Sequence, residues 1–326
     1  MKVLVTGAGG FTGGHLARYL ALRGDEVRGL VRDPARVGVL AGSAVEPVAG
    51  DLRDAASLRR AIEGVDVVYN IAALYREAGL PRSDYLAVNG QAVATIVELA
   101  REAGVRRVVH CSTVGVHGDI AHPPADEDAP IHPGDIYQET KLEGERLGRA
   151  AAAATGMDLV IARPSGIYGP GDRRLFKVFG KVAVGRFLML GSGRNFYHVT
   201  YVDDLSEGFR LCGTVPAAAG RTYILAGGEL TTLAELVAIT AEVAGTRGPR
   251  LRLPVWPFWL AGAACEAVCT PFGISPPIYR RRVDFFRKSR AFDISRARRE
   301  LGFSPRVGLR EGIGRTLEWY REQGWI

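Results

Sequence analysis

The chain opens Lys-Val-Leu-Val-Thr-Gly-Ala-Gly-Gly-Phe-Thr-Gly over residues 2–13. An apolar strand that runs straight into a glycine-rich turn and then a helix leaves few folds open, because this arrangement lays a pyrophosphate on a helix N-terminus. Gly7 permits the tight turn, Gly10 lets the backbone approach a phosphate, and Gly13 lets the helix pack on the strand. The spacing is Gly-x-x-Gly-x-x-Gly, with Thr12 where the commoner dinucleotide fingerprint has its third glycine. In a chain with 41 glycines such a spacing also arises by chance, so the turn needs support from elsewhere.

That support begins with alternation. Apolar runs at 2–6, 26–31, 45–49, 66–72 and 106–111 are separated by helical patterns, the first over roughly 12–23, and Leu159-Val160-Ile161-Ala162 reads as a further strand after a helix near 135–155. Strands alternating with helices argue a doubly wound parallel sheet covered on both faces. After Arg163 the alternation breaks in a Gly- and Pro-rich stretch through Asp172, a loop expected to leave the sheet at its carboxyl edge, where ligands bind in such folds. A returning strand is expected at 222–226, a helix after Leu230, and a second lobe from about 246.

Tyr137 and Lys141, in Tyr-Gln-Glu-Thr-Lys, stand four residues apart on the predicted helix, which puts a phenol and an ammonium on one face. Such a pair is ordinarily an exposed helix face. Beside a dinucleotide turn, it points to hydride transfer coupled to proton transfer, because a nearby cation favours the tyrosinate. Together the glycines and Tyr-x-x-x-Lys resemble the extended short-chain dehydrogenases/reductases, the NAD-dependent epimerase/dehydratase group. The resemblance implies an α/β enzyme with a Rossmann-type doubly wound parallel sheet and a smaller mixed C-terminal substrate lobe. Residues 1–165 would form the dinucleotide-binding core, and 166–326 mostly the substrate lobe, with segments at about 196–245 returning to the core.

The same resemblance assigns further residues. Counting back from Val116-x-Gly118 places Thr113 at the catalytic hydroxyl, with Ser112 the alternative one residue away and a second substrate contact. Tyr137 would transfer the proton, and Lys141 would bind the ribose and stabilise the tyrosinate. Phe11, Ala72 and Pro164 fall at cofactor positions, Asp51-Leu52 where the adenine edge is read, and Asn89 in a helix whose amide braces the site. Val31 sits where an acid commonly holds the ribose 2′-hydroxyl, and Arg32 follows it. Arg32 could take a 2′-phosphate as a bidentate fork, as in dihydroflavonol reductases, so NADP is favoured and NAD remains possible.

Substrate class is divided. Arg194, in Gly-Arg-Asn-Phe-Tyr-His, matches a position from which sugar-nucleotide epimerases reach phosphate, and Arg281 lies in a run of three arginines. A nucleoside-diphosphate sugar therefore leads narrowly. Against it, Val114-Gly115 follow Thr113 where 4,6-dehydratases carry Asp-Glu, and Gly166 replaces an asparagine that binds the diphosphate sugar. The stretch around Gly166 looks closer to the 3β-hydroxysteroid dehydrogenase-like branch, which gives an apolar alcohol as the alternative. A non-catalytic dinucleotide-binding regulator is a remoter one, opposed by the intact Thr113, Tyr137 and Lys141. Residues 253–272 are apolar with Glu266 the single acid, too interrupted by proline to span a bilayer. They read first as core of the substrate lobe and second as a greasy entrance or interfacial helix.

Bulk properties exclude rather than assign. Four scattered cysteines without a Cys-x-x-Cys, and six histidines without ligand spacing, suggest neither disulfides nor a metal site. No Gly-x-Ser-x-Gly elbow surrounds Ser112, so a Ser-His-Asp hydrolase is discounted. The net charge of +7 comes without an interleaved aromatic and basic motif, so nucleic acid is not expected and a phosphorylated small molecule fits as well. The first strand follows Met1 directly, which leaves no room for a signal peptide, and a cytoplasmic homodimer is expected.

Overall fold

A computed structural model describes residues 1–326 except 36–37, 78, 250, 270–271, 273–275 and 277–278, and the side chain of residue 281. The first half runs β1 (Lys2–Thr6), α1 (Phe11–Ala21), β2 (Glu26–Val31), β3 (Glu46–Ala49), α2 (Ala55–Ile62), β4 (Val67–Asn70), α3 (Arg82–Tyr85), α4 (Ala92–Glu102), β5 (Arg107–Cys111), α5 (Ile136–Thr155) and β6 (Leu159–Pro164). Then follow β7 (Gly166–Tyr168), α6 (Phe176–Ala183), β8 (Met189–Leu190), β9 (Val199–Tyr201), α7 (Val202–Thr214) and β10 (Thr222–Leu225). The chain closes with α8 (Leu233–Ala244), β11 (Arg252–Leu253), α9 (Val255–Cys269), α10 (Arg280–Asp284), α11 (Ser295–Leu301) and α12 (Leu309–Glu322).

Among the described residues seven parallel strands form the main sheet in the order β10-β6-β5-β4-β1-β2-β3, the doubly wound fold expected. The order reverses at β1, so the crevice between the loops after β1 and β4 opens at the carboxyl edge. Val3, Val5, Val67 and Val109 face one apolar layer with α1 and α7, while Leu4, Val68, Val108 and Ile161 face the other with α2 and α4. Strands buried on both faces read as continuous apolar runs for this reason. A third apolar cluster lies outside the sheet and joins α6, α8 and α12 through Phe179, Leu236, Ile313 and Tyr320.

The described residues of 253–272 do not form the core that their composition suggests. Pro257 is tolerated in the first turn of α9, where its missing N–H has no intrahelical partner to lose, but Gly262 is the helix's one buried residue among those described. No helix among the described residues is long and apolar enough to cross a membrane.

Candidate active site

The cleft at the carboxyl edge encloses about 1070 Å³. Its floor is the turn after β1. Gly7 adopts φ +68°, and a Cβ there would lie 2.8 Å from the Ala72 Cα. A Cβ on Gly13 would meet the Gly7 carbonyl oxygen at 2.3 Å, and Gly10 caps α1 without any side-chain hydrogen bond. No side chain caps the backbone N–H groups at the start of α1, and the turn packs this closely on Ala72 and on α1 only because Gly7 and Gly13 lack side chains. The Thr6 hydroxyl accepts from the N–H groups of Ile71 and Ala72, both at 3.0 Å, and donates to Asn70 Oδ1 at 2.9 Å. These bonds hold the loop after β4 against the turn.

Gly7, Gly10, Phe11, Gly13, Arg32, Asp51, Leu52, Ala72, Thr113, Tyr137, Pro164 and Gly166 all line this one cleft. Residues scattered over nearly half the chain meet there. Asp51 is gripped by Arg53 through two side-chain bonds of 3.0 and 2.8 Å, which holds its carboxyl down at about 2, and it stays ionised. Asn89 lies behind the wall. Its Oδ1 accepts from the Leu74 N–H at 2.9 Å while its Nδ2 donates to the Leu74 carbonyl and to Thr140 Oγ1, tying the wall loop to α5.

Thr113 and Ser112 part company here. Thr113 caps the short turn after β5, its Oγ1 accepting from the Gly115 N–H at 3.0 Å, which leaves its own proton free to donate. Ser112 Oγ is buried and donates to Glu145 Oε1 at 2.5 Å, and Glu145 is in turn held by Arg163 at 2.9 and 2.7 Å. The Ser112 hydroxyl is therefore committed to a buried ion pair, although the residue lines the cleft beside Thr113. Lys141 is buried one helical turn beyond Tyr137, and its Nζ has no hydrogen-bond partner. A buried ammonium without a partner is costly. Together with the glycine cradle, it marks a place for a polar group that the chain does not supply, and the residues fit a dinucleotide.

Burial pushes the Tyr137 phenol above its ordinary value, with Cys111 and Tyr75 adding to the rise. The charges that oppose this are Arg174 and Arg76 rather than Lys141, whose own ammonium is pushed down by burial. Neither arginine is marked by a sequence motif. Arg76 takes a left-handed φ of +49°, pairs with Asp135 at 2.6 Å and lies 5.8 Å from the centre of the Tyr137 ring. Arg174 stacks 5.1 Å from the centre of Tyr75, which meets Tyr137 edge-on at 4.8 Å. Both arginines, with Arg290, line the cleft.

Arg194, expected at the substrate phosphate, is not among the residues that line the cleft. Its side chain is exposed outside the cleft lining, because the turn at Gly193 carries it away while the neighbouring Asn195 turns inward to the Phe285 and Lys288 carbonyls. The Arg281 side chain lies outside the described residues. No metal-binding group of side chains and no disulfide occurs among the described residues.

The family model of the NAD dependent epimerase/dehydratase family matches residues 3–226. The chain belongs to that family and is an enzyme of the extended short-chain dehydrogenase/reductase type. It is 32% identical over its whole length to the whole of sterol demethylase protein B of Methylococcus capsulatus. A 3β-hydroxysteroid-dehydrogenase/decarboxylase of Arabidopsis thaliana is 29% identical, over 97% of this chain and 78% of its own. Among solved structures, MoeE5 in complex with UDP-glucuronic acid and NAD superposes with a TM-score of 0.77 at 27% identity, covering 99% of this chain and all of the other.

Proposed function

We propose that the protein is an NAD(P)-dependent dehydrogenase or reductase of an apolar secondary alcohol or ketone, of the fused-ring sterol class. The observation that carries this reading is the composition of the cleft beyond the glycine turn. Leu74, Tyr75, Leu80, Leu175, Tyr197 and Phe292 line it, whereas the arginine expected to hold a diphosphate, Arg194, is turned out to solvent. The sterol and steroid relatives point the same way. No carboxylic acid follows Thr113, since Val114 is buried and Gly115 has no side chain, so water elimination lacks its acid and base.

When bound, the nicotinamide supplies the two-electron acceptor or donor for hydride at the carbinol carbon. Thr113 then donates a hydrogen bond to the reacting oxygen, and Tyr137 takes or gives that oxygen's proton. Lys141 would give its unpartnered protons to the ribose, while Arg76 and Arg174 favour the tyrosinate from the cleft side. Arg32, exposed at the cleft rim with Arg53 nearby in the lining, favours a 2′-phosphate and hence NADP. Heat protection measured with NADP, NAD, a 3β-hydroxysterol and uridine diphosphate tests the reading. A sterol should raise the melting temperature only with cofactor present, and protection by uridine diphosphate alone would overturn the substrate class.

One observation favours a nucleotide sugar instead. Arg174 and Arg290 both face the cleft and could hold phosphate in place of Arg194. Loss of uridine diphosphate protection in Arg290→Ala is the result that reading requires.

A further inference from the structure

Helix α9 is apolar at every position but Glu266. Its exposed row Trp256, Leu260, Ala264 and Val268 recurs every four residues, with the three larger side chains 67%, 52% and 64% exposed. Phe272, just beyond the helix, is 76% exposed. A surface helix of a globular protein turns its polar residues to water, and an outward row without a single polar side chain marks a surface that something covers.

The segment that carries the row is basic in sequence, and Arg280 and Arg287 lie over Trp259 on the flank of the helix. Between residues 251 and 288 the sequence sets Arg252, Arg280, Arg281, Arg282, Arg287 and Lys288 against Glu266 and Asp284 alone. Both carboxylates are already matched, Glu266 by Arg280 at 2.6 Å and Asp284 by Lys288 at 3.2 Å. The helix also adjoins the reaction cleft. Trp259 and Glu266 line a smaller cavity of about 220 Å³ together with Arg76, Gln138 and Arg290, and those three residues line the main cleft as well.

We propose that α9 and Phe272 form a docking face for an anionic phospholipid bilayer, with the apolar row set among the acyl chains near the headgroups and the arginine rim on lipid phosphates. At 15 residues the helix is shorter than the ~20 needed to span, so it lies in the interface. Charge decides between the two apolar partners open to such a face. A second copy would bring one basic rim against another, whereas an anionic membrane complements it. The inference stands whichever substrate the cleft takes.

The test is cosedimentation of the full chain with sucrose-loaded vesicles, either pure phosphatidylcholine or phosphatidylcholine with phosphatidylglycerol. The protein should partition into the anionic vesicles at least ten-fold more strongly than into the neutral ones. Trp256→Ser/Leu260→Ser should reduce that partition at least ten-fold with an unchanged melting temperature, because both side chains already face water. Arg252→Glu/Arg282→Glu should reduce it as well and serves if the first variant folds poorly. Partition into anionic vesicles that survives the serine variant would mean that general positive charge is responsible and would overturn the proposal, as would no partition at all. A lipid-free dimer that the serine variant dissociates would overturn it in favour of a second copy.

Discussion

The glycine turn after β1 and the helix α9 both expose a surface to solvent, yet they differ in what specifies them. At the turn the backbone itself is the binding surface, so each glycine is fixed by an atom that a Cβ would strike, the Gly7 carbonyl for Gly13 and the Ala72 Cα for Gly7. At α9 the surface is made of side chains whose only requirement is to be apolar. The first kind of site constrains the spacing of residues and can be found in a sequence. The second constrains composition alone, and a buried helix would have the same composition.

The sharpest break of this comparison comes from the catalytic side. Tyr137→Phe should retain dinucleotide binding and lower turnover by about 10²–10⁴-fold, since it deletes a proton-transfer group without touching the glycine cradle. Equal turnover with a confirmed substrate would show that the convergence around Tyr137 is packing and not chemistry.

Gly13→Ala probes the other half of the cleft. The added methyl would sit 2.3 Å from the Gly7 oxygen, and backbone cannot swing aside as a long side chain can. The expected cost is about 1–3 kcal/mol of stability together with loss of cofactor-dependent heat protection. A variant that still gains its full protection from NAD or NADP would remove the turn from the site.

These two results would also show how much of the site could be read in the sequence. The glycines, Tyr137 and Lys141 were legible because strand ends and helical spacing place them with little help from tertiary structure. The main sheet was legible because strands covered on both faces are unbroken apolar runs. Arg76, Arg174 and Arg290 were not, since loops with no periodicity bring them to the cleft, and Arg194 looked equally suitable until the turn at Gly193 aimed it outward. Ser112 and Thr113 could be told apart only once Glu145 was seen to claim one hydroxyl.

The buried polar layer under the cleft carries its own expectation in pH. His110 is buried behind Lys141, and desolvation with the Lys141 and Arg149 charges pushes its pKa well below the usual 6.5. Below that pH the unfolded chain takes up a proton that the native state refuses, so native stability falls as pH drops from 6.5 toward the depressed value, by at most about 1.4 kcal/mol per unit for this residue. His117 and His198 are shifted down by burial as well and act with the same sign, while Glu127, pushed up by burial, opposes them at lower pH. Urea midpoints at pH 7.5 and 5.5 measure the difference, and a midpoint that is no lower at 5.5 would contradict the assigned burial.

The smallest expected effect separates the two surfaces most cleanly. Leu16 is fully buried in α1 and Leu260 is half exposed on α9, so the same truncation to alanine removes the same atoms from two environments. Leu16→Ala should cost about 2–5 kcal/mol, the transfer of the lost methyl groups plus the cavity left behind. Leu260→Ala should change lipid-free stability by less than about 0.5 kcal/mol, because its isobutyl group already faces water and no cavity forms. A cost near that of Leu16 would mean that α9 is covered by protein in solution and that its row is core after all. A negligible cost leaves the apolar row without a structural reason in the monomer, and whatever selects Leu260 must then lie outside the folded chain.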